Sequence, residues 1–202
     1  MIGPYRDEDF ARLPKVPLTK APIRALVASL LQPLHGRTVG EVGTGTGGIT
    51  SELARAVGPG RVYSMDPSKE AIEVATKNLS DLGLIQRVTL IPQGAPEGLS
   101  TVPTLDGLVV GGHGGDLRSI IAASLPKMSA GSRIVVTANM PSTAVEALET
   151  MEACSMAPEM WQITPSMGHK TGAGWMLKAL NPVFVVWGDV PQDRSEIKES
   201  LL

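Results

Sequence analysis

The residues of this chain best placed to do chemistry are Glu41, the glycines of Gly43-Thr44-Gly45-Thr46-Gly47-Gly48, and Asp66, which follows the strand-like Val62-Tyr63-Ser64-Met65. A glycine-rich turn lets the backbone fold back tightly and lets a ligand approach the N–H groups at a helix start. An acid at the end of the next strand can accept hydrogen bonds from both hydroxyls of a ribose. Together they form a cradle for a nucleoside-containing cofactor, and two cofactors satisfy it. Gly43, Gly45 and Gly48 match the G-x-G-x-x-G of nicotinamide dinucleotide binding. Glu41 favours a cofactor without phosphate. One pyrophosphate charge about 4 Å from a carboxylate costs roughly 4 kcal/mol at an effective dielectric of about 20. The sulfonium and ammonium of S-adenosylmethionine gain from the same carboxylate. The competing reading of Glu41 is a side chain turned to solvent or weakly paired with a lysine.

The elements that must hold these residues alternate. Thr38 to Val42 reads as a strand, Gly47 to Val57 as a helix, Arg61 to Met65 as a second strand, and Ser68 caps a helix running to Leu82. Val88 to Ile91 is a third strand, and Leu105 to Val110, almost wholly apolar, reads as a buried parallel fourth. A helix over Leu117 to Met128 and a fifth strand over Arg133 to Ala138 follow. Ahead of the first strand, Thr19 is the expected cap of a helix over Ala21 to Leu34, with Pro22 tolerated in its first turn. Ser142 is the expected cap of a helix to Ser155; Glu159 to Thr164 and Met176 to Trp187 are the last two strands. This order predicts an α/β fold: a seven-stranded, mostly parallel sheet with helices on both faces and an antiparallel C-terminal hairpin. Ligands then sit beyond the carboxyl ends of the strands.

At 202 residues the chain reads as one domain over 1–188, opened by an irregular segment over 1–20 and followed by a charged tail over 189–202. A net charge of −2 gives no basic field for nucleic acid, and no apolar run is long enough to cross a membrane. The single cysteine, Cys154, rules out an internal disulfide framework, fits a cytoplasmic protein, and reads as a small apolar filler. His35, His113 and His169 lack metal-ligand spacing, so no metal is expected.

His113, in Gly111-Gly112-His113-Gly114-Gly115 after the fourth strand, is the residue best suited to transfer a proton near neutral pH; the alternative is a solvent-facing loop histidine. Lys15, Lys20, Arg24, Arg118, His169, Lys170 and Lys178 fall near the expected mouth, where cations would hold an anionic substrate. Ser166 to Gly174 reads as a flap over that mouth or as an ordinary hairpin loop.

The glycine turn, Asp66, Gly94-Ala95-Pro96-Glu97, Val109-Val110-Gly111-Gly112-His113-Gly114-Gly115, Asn181-Pro182-Val183 and the early Val16-Pro17-Leu18-Thr19-Lys20 resemble one family. It is the decarboxylating cobalt-precorrin-6B (C15)-methyltransferase family of cobalamin biosynthesis, related to the C-terminal half of precorrin-6Y C5,15-methyltransferase. The resemblance covers about Asp9 to Trp187. It implies a class I methyltransferase fold and S-adenosylmethionine as methyl donor, with S-adenosylhomocysteine as product. The implied donor contacts are Thr19, Glu41, Gly43, Thr44, Gly45, Thr46, Gly47, Asp66, Pro67, Gly94, Ala95 and Gly111. It implies a carboxylate-rich tetrapyrrole substrate near Lys20, Arg24, Gly112, His113, Gly114, His169 and Lys170. The reaction would methylate C15 and remove the carboxyl of the C12 acetate, in a cytoplasmic homotetramer without nucleic-acid or membrane partners. Two positions depart from the family pattern. Gly94 replaces an acid that would read the adenine amino group, and Glu41 replaces the commoner aspartate. The alternatives left open are a methyltransferase for RNA or protein, a dinucleotide-dependent oxidoreductase, and a binding module that keeps the fold without catalysis.

Overall fold

The computed structural model describes residues 3–112, 114–193 and 195. Strands β1 (Thr38–Val42), β2 (Arg61–Met65), β3 (Val88–Ile91), β4 (Leu105–Val110) and β5 (Met128–Ala138) run parallel. Strand β9 (Val183–Asp189) pairs antiparallel with β5 and with the edge strand β6 (Glu159–Ile163), giving the order β3-β2-β1-β4-β5-β9-β6. The expected seven-stranded, mostly parallel sheet is therefore present.

Alternation along the strands sorts their side chains into two cores, as the period of two requires. Val39, Val109, Val135 and Val185 pack with α1 (Ala21–Leu30), α2 (Gly48–Ala56) and α3 (Lys69–Asp81) on one face. Leu108, Val110, Ile134 and Val136 pack with α4 (Leu117–Ser124) and α5 (Pro141–Ala153) on the other. Both faces of β4 are buried, which is why it reads as a continuous apolar run.

Several boundaries differ from the sequence expectation. Lys20, not Thr19, is the N-cap of α1, and neither Lys20 nor Met140, the N-cap of α5 in place of Ser142, makes a side-chain capping bond; prolines in the first turn start both helices instead. Helix α1 stops at Leu30 because Pro33 disfavours helix at the residue before it. Helix α4 stops at Ser124 ahead of Leu125-Pro126 for the same reason. The expected cap at Ser68 does form, its hydroxyl accepting from Ala71 N at 3.2 Å.

The largest difference is over Met176 to Trp187, expected as one strand. Leu180-Asn181-Pro182 breaks it, leaving β8 (Gly174–Ala179) paired with β7 (Ser166–Thr171) in a separate two-stranded hairpin. Proline cannot donate to a ladder, so the strand must end there. Thus Ser166 to Gly174 is mostly β7 and its turn rather than a loop. At the carboxyl end of the chain, Asp189 closes β9 and Val190 is buried, while 194 and 196–202 of the expected tail lie outside the described residues.

Arg24 explains how the N-terminal segment is held over the sheet. Fully buried, it donates to Asp7 Oδ1 at 2.7 Å and to the main-chain oxygens of Thr19 and Tyr5 at 2.5 Å each, and lies 4.8 Å from the Phe10 ring centre. Asp7 also accepts from Ala21 N at 3.0 Å. This pairing fixes the irregular segment against α1. Removing one partner of such a buried pair costs about 3–5 kcal/mol, because the other charge is stranded.

Candidate active site

The glycine turn follows β1 directly. Gly43 has φ +90°, and a Cβ there would lie 2.4 Å from Gly112 N, so only glycine lets the two loops touch. Gly111 N and Gly112 N both donate to Val42 O, at 2.9 and 3.2 Å. The loop after β4 is thereby sewn to the loop after β1. The N-terminal segment crosses above: Thr46 Oγ1 donates to Pro17 O at 3.2 Å.

These three segments separate two cavities. The first, about 230 Å³, is lined by Thr19, Glu41, Gly43 to Thr46, Asp66 and Gly111 among others. The second, about 660 Å³, lies beyond the ends of β5 and β9, and Pro17, Thr19, Gly111 and Gly112 line both. A ligand in one therefore neighbours a ligand in the other along this shared rim.

Asp66 is seated by its own loop. Its Oδ2 accepts from Gly45 N at 2.9 Å and its Oδ1 from Ser68 N at 2.9 Å. Each oxygen keeps a second lone pair for a ligand hydroxyl.

Glu41 meets neither sequence reading of a solvent-facing or lysine-paired side chain. It is 1% exposed at the base of the first cavity. Its Oε2 accepts from Thr50 Oγ1 of α2 at 2.5 Å and from Ser64 Oγ of β2 at 2.7 Å. It forms no ion pair among the described residues. Burial raises its pKa from 4.5 to about 7, opposed by the Thr50 and Ser64 hydrogen bonds and assisted by the nearby Asp66 charge. A cation entering this cavity would supply the missing counter-charge. A pyrophosphate would add charge of the wrong sign, which counts against the dinucleotide reading.

The remaining expected residues divide. Gly112, Gly114 and Lys20 line the second cavity, and Lys20 Nζ lies 3.5 Å from Asp7 Oδ2. Arg24 does not reach it: its guanidinium is committed to Asp7 and main-chain oxygens, so its expected role at the mouth is replaced by a structural one. His169 and Lys170 are on β7, and Arg118 and Lys178 are also absent from both cavity walls. Among the described residues Lys20 is the one charged side chain on the second cavity, and Asn139, Asn181, Thr19, Thr137 and Thr143 provide neutral polar groups instead. Lys15, expected near the substrate, lines the first cavity. Gly47 is the N-cap of α2, and Pro67, Gly94 and Ala95 lie outside the enclosed part of that cavity, a Cβ at Gly94 falling 3.8 Å from Pro67. His113 lies outside the described residues. Cys154 is buried in the core, where burial raises its thiol pKa. No group of three His, Cys, Asp or Glu among the described residues could hold a metal.

The rule that ligands sit at carboxyl strand ends points to Ala138 to Met140 after β5, and all three line the second cavity. Sequence reasoning missed Thr137, one residue earlier, and Thr50 and Ser64, the donors to Glu41. The last two were out of its reach, since a register across β1, β2 and α2 is needed to bring them together.

A model of the precorrin methyltransferase domain matches residues 14–187. The chain is 35% identical over 191 residues to a probable cobalt-precorrin-6B C(15)-methyltransferase (decarboxylating) of Methanothermobacter thermautotrophicus, with 94% of this chain and 98% of the relative covered. Its fold is similar to the crystal structure of a precorrin 8W decarboxylase of Methanobacterium thermoautotrophicum, at TM-score 0.88 and 36% identity over 91% of this chain and 98% of the other. A precorrin-6Y C5,15-methyltransferase of Geobacter metallireducens aligns at TM-score 0.87 and 25% identity, covering 94% and 99%.

The Glu41 carboxyl has a consequence for stability. A carboxyl whose pKa is higher folded than unfolded stabilises the fold below pH 4.5, and that contribution is lost as pH rises to about 7. The shift corresponds to roughly 3 kcal/mol. Glu41→Gln is expected to match wild type near pH 4.5 and to melt several degrees higher at pH 8. Thermal melts across that range check it, and parallel curves would contradict it.

Proposed function

Because the chain belongs to the precorrin methyltransferase family, we propose that it is a decarboxylating C-methyltransferase of cobalamin biosynthesis. It methylates C15 of cobalt-precorrin-6B or precorrin-6B, removes the carboxyl of the C12 acetate, and converts S-adenosylmethionine to S-adenosylhomocysteine. The observation that carries the reading is the rim of Pro17, Thr19, Gly111 and Gly112 shared by the Glu41–Asp66 cleft and a larger cavity. The larger cavity, at about 660 Å³, has room for most of a macrocycle and is open to solvent for the rest.

The first cavity fits the methyl donor. Its buried Glu41, in no ion pair among the described residues, suits a cationic ligand, and Asp66 suits the ribose hydroxyls. Lys15 suits the methionine carboxylate. At about 230 Å³ the enclosed part is too small for the whole donor, so the adenine extends over Pro67, Gly94 and Ala95. When bound, the donor supplies an already activated methyl group. The protein's task is then alignment, which can contribute about 7–11 kcal/mol in well-ordered cases. The Gly43–Gly112 contact supports it by fixing the border at which the donor methyl faces the acceptor carbon directly. The electron pair left when carbon dioxide departs returns to the conjugated macrocycle, and a proton completes the carbon.

The reading includes a homotetramer acting in the cytoplasm, with no nucleic-acid partner at a net charge of −2. The hairpin supports assembly. Trp175 and Leu177 are 76% and 75% exposed, and Met176 and Met167 are exposed beside them. An isolated two-stranded hairpin is marginal in water, and apolar groups of this size call for a partner surface. Wild type is expected to sediment as a tetramer and the double variant Trp175→Glu, Leu177→Glu as smaller species; a monomeric wild type contradicts the assembly.

For the activity itself, the purified protein is given S-adenosylmethionine and cobalt-precorrin-6B. Mass spectrometry should show one methyl gained and one carbon dioxide lost in the same product. An unchanged macrocycle, or methylation that stops without loss of carbon dioxide, contradicts the proposal.

A further inference from the structure

The second cavity contains one side chain whose position the fold alone does not explain. Thr137, the penultimate residue of β5, is 8% exposed, and the surface it keeps faces this cavity. Its register partner in β9 is Val185, and the β5 residue two before it on the same face is Val135; both are fully buried and apolar. A hydroxyl interrupting such a row would ordinarily bond to a neighbour. The hydroxyl of Thr137 has no hydrogen-bond partner among the described residues, in contrast to the buried hydroxyls of Thr44, Thr50 and Ser64 below the first cavity. Its Oγ1 lies 3.5 Å from where a Gly111 Cβ would stand. It is therefore beside the wall that both cavities share, on the substrate side.

We infer that the Thr137 hydroxyl is a substrate-positioning group: it donates to an oxygen or nitrogen acceptor on the macrocycle edge nearest the wall, and so registers the reacting carbon against the methyl donor. This rests on the functional reading above. The chemistry suits the place. A threonine hydroxyl is one donor and two acceptors, held by a β-branched side chain with restricted χ1. An anionic or imine-like acceptor lacks a charged partner here, since Lys20 is the cavity's only charged side chain among the described residues and is drawn towards Asp7. Positioning by a short, stiff neutral donor also avoids anchoring a carboxylate so firmly that its loss is opposed. Val at this position would match the apolar Val135 and Val185 beside it, so the packing does not call for the hydroxyl.

The test compares wild type with Thr137→Val and Thr137→Ser, measuring steady-state conversion of cobalt-precorrin-6B, S-adenosylhomocysteine affinity and Tm. A lost hydrogen bond to a charged or strongly polar acceptor predicts a fall in kcat/KM of about tenfold to a hundredfold in Thr137→Val. S-adenosylhomocysteine affinity should stay within about twofold and Tm should not fall, since the hydroxyl has no hydrogen-bond partner among the described residues. Thr137→Ser, which keeps the hydroxyl, should recover most of the activity. Wild-type turnover in Thr137→Val overturns the inference, as does a serine variant as impaired as the valine one. A drop in Tm together with lost S-adenosylhomocysteine binding in Thr137→Val also overturns it, by making the hydroxyl structural. If wild type itself leaves the macrocycle unchanged, the functional reading fails and this inference falls with it.

Discussion

A carboxyl group buried at the end of the central strand β1, hydrogen-bonded to hydroxyls and in no ion pair among the described residues, is the constraint on which the rest of the site depends. Glu41 draws one donor from β2 and one from α2, so the strand pair and the helix that follows the glycine turn are tied to a single oxygen. Thr44 joins the cluster through Ser64 at 2.7 Å. The hydrogen bonds lower the cost of burial without cancelling it, which is why the group stays near pH 7 in its titration. An ionisable group kept under such strain is stabilised fully only when a cation arrives. The preference for a sulfonium donor over a dinucleotide thus lies in a deficit of positive charge, not in the glycine pattern that both cofactors share.

The second constraint is steric. Two loops from neighbouring parallel strands touch at Gly43 and Gly112, and so set where the two cavities border each other. The segment over 13–20 closes the same boundary from above, and Arg24 holds that segment from beneath. The arginine serves the site by positioning its roof. Two adjoining chambers with a common rim are what let a small donor cleft coexist with a wide cavity for a bulky acceptor.

Much of this was legible in the sequence because each feature is local. The apolar run Leu105 to Val110, the Ser68 cap and the glycine turn declare themselves within a few residues, and alternation of strands with helices dictates the sheet. What was misread depends on distant partners. Arg24 looks like a surface cation until Asp7 folds over it, and Lys15 changes cavity because its segment crosses the glycine turn. The break at Leu180-Asn181-Pro182 was hidden by apolar residues on both sides, although Pro182 carried the signal. Glu41 was correctly singled out, yet its burial, and with it the size of its effect, required the register between β1 and β2.

The most direct test of the account is a calorimetric titration of the protein with S-adenosylmethionine, made near pH 7 in two buffers of different ionisation enthalpy and repeated from pH 6 to 8. If the donor's positive charge meets the Glu41 carboxylate, about half a proton should leave the protein on binding at pH 7, and affinity should rise with pH until about 7 and then level off. Equal heats in the two buffers, with an affinity that does not change across the range, would contradict it.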